Sequence, residues 1–205
     1  MLKQARIAVL VSGGGTNLQA LIDAEQQGAL PSGRLVLVLS SSADAYALRR
    51  AEAAGIPTRT VSRRDSGSRE AFESSLLAAL EEYQVDLILL AGFMCILSEY
   101  FTARFPQRIL NVHPSLIPSF CGKGMYGLRV HQAALEYGVK VTGATVHYVN
   151  EVPDGGRILL QKAVSVEPGD TPESLQRRVM EQAEWILLPQ AAELVSAQIV
   201  KEKNR

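Results

Sequence analysis

Between Arg6 and Val112 the chain alternates apolar runs of strand length with amphipathic stretches of helix length, and few folds accept that order. Arg6 to Val11, Asn17 to Gln27, Leu35 to Ser40 and Asp44 to Ala54 read as strand, helix, strand, helix. A short strand near Thr58 to Val61, a helix from Ser68 to Tyr83, the run Val85 to Leu90, a helix near Ser98 to Phe105 and the strand Arg108 to Val112 continue the series. Strands buried on both faces read as unbroken apolar runs. The expected fold class is therefore α/β, a mostly parallel, Rossmann-like open sheet with helices on both faces.

Beyond Val112 the grammar changes. After a helix from Leu128 to Tyr137, two long strand patterns, Lys140 to Asn150 and Arg157 to Val166, flank the turn-like Pro153-Asp154-Gly155-Gly156, which predicts an antiparallel pair. Thr171-Pro172-Glu173 then opens a long final helix with an N-cap and a proline in its first turn. Pro189 is expected to kink or interrupt that helix, and the lysine-rich tail from Lys201 to fray. The segment Ser62 to Ser68 is expected to be the most flexible. With 205 residues, 47% of them hydrophobic, the chain can bury one sizeable core, so a single domain over 1–205 is predicted.

Lys plus Arg and Asp plus Glu number 21 each. The mean charge thus gives no reason to expect a nucleic acid or an acidic membrane as partner, and any anion site must be local. Cys95 and Cys121 have neither disulfide-framework nor zinc spacing, and read as free thiols in a reducing compartment. The apolar run Ile7 to Val11 is too short for a signal or a membrane span, so the expected location is cytoplasmic.

Ser12-Gly13-Gly14-Gly15-Thr16-Asn17 joins the first strand to the first helix. Glycines there let a ligand approach the backbone, and the N–H groups at a helix start favour a phosphate. The bland alternative is a turn in which Thr16 or Asn17 only caps the helix. A dinucleotide fingerprint would need a third glycine at Leu18 and an acidic residue where Ser40-Ser41-Ser42 stands, and no GK[ST] follows the loop. NAD and an ATP P-loop are both disfavoured.

Asn111 and His113 end the strand Arg108 to Val112, two positions apart and so on one face, with Pro114 stopping the strand. Carboxyl ends of parallel strands open into the ligand crevice of such sheets, and an amide beside an imidazole is a donor pair suited to a developing oxyanion. Asp154 has an ordinary reading as a turn residue; near His113 it would favour the charged imidazole. His131, on the surface of its helix, and His147, packed in the sheet, read as structural. No three histidines or carboxylates fall at metal-ligand spacing, and no nucleophile elbow appears, so no metal is expected.

The loop Ser12 to Asn17, the segment Leu89-Leu90-Ala91-Gly92-Phe93-Met94, the stretch Asn111-Val112-His113-Pro114-Ser115-Leu116-Ile117-Pro118 and Asp154-Gly155-Gly156 recur in that order in a known family. On these residues the chain resembles the folate-dependent glycinamide ribonucleotide formyltransferases over almost its whole length. The resemblance implies the formyltransferase fold, with a nucleotide-binding half to about residue 105 and a folate and catalytic half from about 106. It makes Asn111, His113 and Asp154 the catalytic set and Gly15, Thr16 and Asn17 the phosphate cradle. It assigns Glu184 to the substrate ribose, although the spacing from Arg178 is one residue longer than the family pattern. Folate contacts fall on Arg69, Met94, Cys95, Ile96, Leu97 and Asn111. Three departures stand out: Cys95 where arginine is common, which could shift a folate contact to Arg63 or Arg64, Cys121 where proline is usual, and Arg157 where proline follows the glycines.

What the resemblance implies is acyl transfer from 10-formyltetrahydrofolate to the amine of glycinamide ribonucleotide in purine synthesis, without a metal, by a monomer or homodimer acting on two small molecules. The rivals are a formyltetrahydrofolate hydrolase or another enzyme using the same folate, a dinucleotide oxidoreductase, and a nucleotide-binding α/β module without catalysis. The missing third glycine counts against the oxidoreductase, and the Asn111–His113 pair against a mere binding module.

Overall fold

A computed structural model describes residues 4–204 of the chain. Seven strands form one sheet: β1 (Ala5–Val11), β2 (Gly33–Ser40), β3 (Thr58–Thr60), β4 (Leu87–Leu90), β5 (Ile109–His113), β6 (Val141–Tyr148) and β7 (Ile158–Ser165). Their spatial order is β3-β2-β1-β4-β5-β6-β7. The first five are mutually parallel, whereas β5 with β6 and β6 with β7 are antiparallel. The sheet therefore changes hand of pairing at β5, the strand that ends in Asn111 and His113.

Alternation along β1 sorts the core into two layers. Ile7, Val9 and Val11 join Leu18, Leu21, Leu187 and Leu188 on one face, while Ala8 and Leu10 join Phe72, Leu76, Leu80 and Phe101 on the other. The first face is covered by α1 (Thr16–Gln26), α2 (Tyr46–Ala53) and α7 (Trp185–Lys203), and the second by α3 (Arg69–Glu82) and the one-turn α4 (Glu99–Thr102). Helix α5 (Leu128–Tyr137) lies beside α6 (Pro172–Val179). Ser68 caps α3 by accepting from Ala71 N–H, and Thr171 caps α6 in a reciprocal box with Ser174. No helix among the described residues is long and apolar enough to cross a membrane.

Two expectations about the C-terminal helix need correction. It does not break at Pro189: the irregularity lies upstream, in a π-helical turn at Met180–Glu184, and α7 runs through the proline. Pro189 forgoes only a bond to the Trp185 carbonyl, next to a turn that already departs from α geometry. Nor does the tail unwind at Lys201, since the helix continues to Lys203. Two ion pairs, Arg108 to Glu202 at 2.5 Å and Lys203 to Asp86 at 2.6 Å, tie its last turn to the residues that lead into β4 and β5.

Candidate active site

The carboxyl ends of β1, β4 and β5 open into a cavity of about 360 Å³ that collects residues from both ends of the sequence. Asn17, Met94, Cys95, Ile96, Asn111, His113, Asp154 and Glu184 all line it. Apolar surface from Phe93, Met94, Ile96 and Val112 suits a flat ring system, and the polar groups converge at the strand ends.

Asp154 is carried by the turn between β6 and β7, at φ 55°. Its Oδ2 lies 3.5 Å from His113 Nδ1 and accepts a 2.8 Å bond from Gly122 N–H; its Oδ1 lies 3.6 Å from His147 Nε2. Burial, the largest influence, opposes ionisation of Asp154. The Gly122 N–H and the nearby charge of His113 outweigh it and hold the carboxyl below its usual range. His113, only 4% exposed, is clamped from its other side by Nε2 donating to Phe120 O at 2.9 Å. The aspartate is thus far more than a turn cap.

His147 is the residue that sequence reasoning undervalued. It is packed in the sheet as expected, but it faces Asn111 directly across the antiparallel β5–β6 register. Its Nδ1 donates to Tyr148 O at 2.9 Å, which leaves Nε2 to accept from Asn111 Nδ2 at 3.1 Å. That bond sets the orientation of the carboxamide and leaves its second N–H uncommitted. The available signal was the β6 pattern itself: once β6 is antiparallel to β5, a histidine there can pair with Asn111.

His131 also needs correction. Instead of lying on the outer face of α5 it is fully buried, lines the cavity, and has no partner for either ring nitrogen among the described residues. Desolvation, aided by the positive field of His113, pushes its pKa down to about 4, so it is a neutral imidazole near pH 7.

The glycine loop is not a side-chain-capped turn. Gly15 is the N-cap residue of α1 at φ 73° and no side chain caps the helix, leaving the N–H groups of its first turn without intrahelical acceptors. A Cβ on Gly15 would stand 2.6 Å from the Ala47 Cβ, so both conformation and space demand glycine. Thr16 points to Met180 Sδ, and Asn17 Nδ2 donates to Glu184 Oε2 at 2.7 Å. The extra residue between Arg178 and Glu184 is absorbed by the π-helical turn, which returns Glu184 to the cavity wall.

The remaining assigned residues divide. Met94 and Ile96 are half-exposed at the rim, whereas the Leu97 side chain packs into the core beneath. Arg69 stands outside the cavity, holding the same segment through Ile96 O at 3.1 Å and pairing with Glu73 at 3.2 Å. Burial raises the thiol pKa of Cys95 against the opposing Ser41 hydroxyl and Arg63 charge; burial and the Asp154 charge raise that of Cys121. Neither thiol is a ready thiolate nucleophile.

Residues 5–191 match the formyl transferase family. The trifunctional purine biosynthetic protein adenosine-3 of Gallus gallus is 47% identical over 97% of this chain, which spans 19% of that protein's length. The phosphoribosylglycinamide formyltransferase of Haemophilus influenzae is 44% identical over 86% of this chain and 81% of its own. The crystal structure of glycinamide ribonucleotide transformylase 1 from Symbiobacterium toebii superposes with a TM-score of 0.89 at 44% identity, covering 95% of this chain and 89% of that one. The cavity at the end of β5 is therefore met in a chain that belongs to the formyl transferase family.

Proposed function

We propose that this chain transfers the formyl group of 10-formyltetrahydrofolate to the amine of glycinamide ribonucleotide in purine synthesis. The observation that carries the reading is the convergence of Asn111, His113 and Asp154 on one cavity that the Asn17–Glu184 pair also lines. The names of the relatives support the same substrates.

As the substrate amine attacks the formyl carbon, the carbonyl electron pair moves to oxygen and the new oxyanion needs donors. Asn111 offers its free N–H. His113 offers the N–H it otherwise gives to Phe120 O, because a charged acceptor outcompetes a neutral carbonyl. Asp154 stabilises the imidazolium and orients its ring. Collapse returns the electron pair to the carbon, breaks the bond to the folate nitrogen, which takes up a proton, and leaves the formylated amine, which gives one proton to solvent. Gly15, Thr16 and Asn17 would hold the phosphate, Glu184 the ribose, and Met94, Cys95 and Ile96 the folate ring. The free thiols fit a reducing, cytoplasmic setting, with a monomer or homodimer acting on two small molecules.

The test is turnover of purified protein with both substrates, following the deformylated folate, beside Asn111→Ala and a control lacking the ribonucleotide. Transfer that requires the ribonucleotide and collapses in the variant is the expected result. Deformylation without the ribonucleotide would assign a hydrolase instead.

A further inference from the structure

The segment 94–97, which the reading above gives to the folate ring, adopts neither helix nor strand, so its main-chain groups depend on side chains for bonds and for shape. Three side chains hold it from outside the cavity. Ser12 Oγ accepts from Met94 N–H at 2.9 Å, Arg69 Nη2 donates to Ile96 O at 3.1 Å, and Glu73 grips Ser98, the residue that follows the segment. Through Oε1, Glu73 accepts from Ser98 N–H at 2.7 Å and from Arg69 Nε at 3.2 Å; through Oε2 it accepts from the Ser98 hydroxyl. The same hydroxyl oxygen takes the Phe101 N–H at 3.2 Å and so caps α4.

Glu73 is only 3% exposed, on a helix whose neighbouring Phe72 and Leu76 belong to the apolar core. A carboxylate is costly to bury even when paired, and an apolar side chain of similar size would pack there at less cost. Stability alone is a poor reason to keep it. All three of its bonds end on residues that shape the segment: Ser98 twice, and Arg69, which the i, i+4 pair steadies while it holds Ile96 O.

We propose that Glu73 is a positioning residue for the folate, setting the 94–98 backbone, by way of Ser98 and Arg69, in the conformation that receives the ring. The proposal rests on the folate reading above, and its test separates the two. Equilibrium dialysis of tetrahydrofolate against the whole chain, without the ribonucleotide, reads the segment apart from turnover. Glu73→Met keeps length and helix propensity but offers no oxygen. Its Kd for tetrahydrofolate and its KM for 10-formyltetrahydrofolate should each rise about tenfold, the loss expected when bonds to a charged acceptor are removed, with kcat and the ribonucleotide KM held within about twofold. Glu73→Gln keeps an oxygen for Ser98 N–H and can donate its amide to Ser98 Oγ, so its folate Kd should return to within about threefold of the parent's.

An unchanged folate Kd in Glu73→Met would overturn the proposal, and so would a lowered one, which would mean that freeing Arg69 helps the ligand. A rise in both KM values together with a loss of kcat, the mark of general loosening, would overturn it too, as would a Glu73→Gln variant as impaired as Glu73→Met. If Glu73→Met does not fold, Ser98→Ala, which strands Oε2, takes its place: a raised folate Kd supports the proposal and an unchanged one overturns it. Each of these results leaves formyl transfer intact. A parent chain that binds tetrahydrofolate, less tightly as Glu73→Met, yet formylates no ribonucleotide would instead remove the transfer reading and leave the positioning role standing.

Discussion

Asn17 and Glu184, 167 positions apart, are joined by a buried 2.7 Å bond from the amide Nδ2 to the carboxyl Oε2 on the cavity wall. Burial pushes the Glu184 pKa up to about 7, with the Asn17 amide pulling the other way. The site therefore holds a carboxyl whose proton is retained well above the usual carboxylate range, able to donate as well as accept a hydrogen bond.

Glu184 should leave a signature in the pH dependence of stability. The folded state keeps this proton to about pH 7, whereas the unfolded chain releases it near 4.5. Between those values the folded state binds more protons, so stability from this group is greatest below pH 4.5 and falls as pH rises to 7. Glu184→Gln removes the titration, and urea unfolding at pH 8 should find the variant the more stable, while its KM for the ribonucleotide is raised. A variant less stable than the parent at pH 8 would show that the carboxyl is not desolvated as described.

Asn111→Ala and His113→Ala should each lose roughly a hundredfold to a thousandfold in kcat, the effect of removing one oxyanion donor. His113→Ala should be at least as impaired as Asn111→Ala, since it also strands the Asp154 carboxylate. Steady-state kinetics beside thermal unfolding separates catalysis from folding. Near-normal kcat in either variant defeats the assignment.

Gly15→Ala should cost both fold and substrate. The methyl would stand 2.6 Å from the Ala47 Cβ, on a backbone held at φ 73°, so α1 or α2 must shift. A destabilisation of about 1 to 3 kcal/mol is expected from the conformation alone. Calorimetry should show a lowered Tm, and ribonucleotide KM should rise with it. A Tm equal to the parent's would mean that α2 yields freely.

The strand and helix order was legible because each element carries its own periodicity: the β1 run and the Thr171 cap fall where the local pattern puts them. Asn111 and His113 were legible for the same reason, being two positions apart on one strand. Local pattern could not tell that β6 sets His147 beside Asn111, because that depends on register between strands. The burial of His131 was hidden likewise, since it follows from how α5 packs over the cavity. The π-helical turn had a trace in the long Arg178 to Glu184 spacing, but only the structure says how the extra residue is absorbed.

His131 should oppose Glu184 in acid. Its pKa of about 4 in the fold lies below the 6.5 of an ordinary histidine. Between these values the unfolded chain binds the extra proton, so stability from this group is present above pH 6.5 and lost as pH falls towards 4. Over the shared window the two slopes have opposite sign and nearly cancel in the parent protein. Each single variant should uncover the other group. In Glu184→Gln, stability should fall as pH drops from 6.5 to 4.5, by up to about 1.4 kcal/mol per pH unit. In His131→Gln it should instead fall as pH rises from 4.5 to 7. Urea midpoints measured across that range decide the matter: two variants with slopes of the same sign would mean that at least one of these groups is not held in the protonation state its burial dictates.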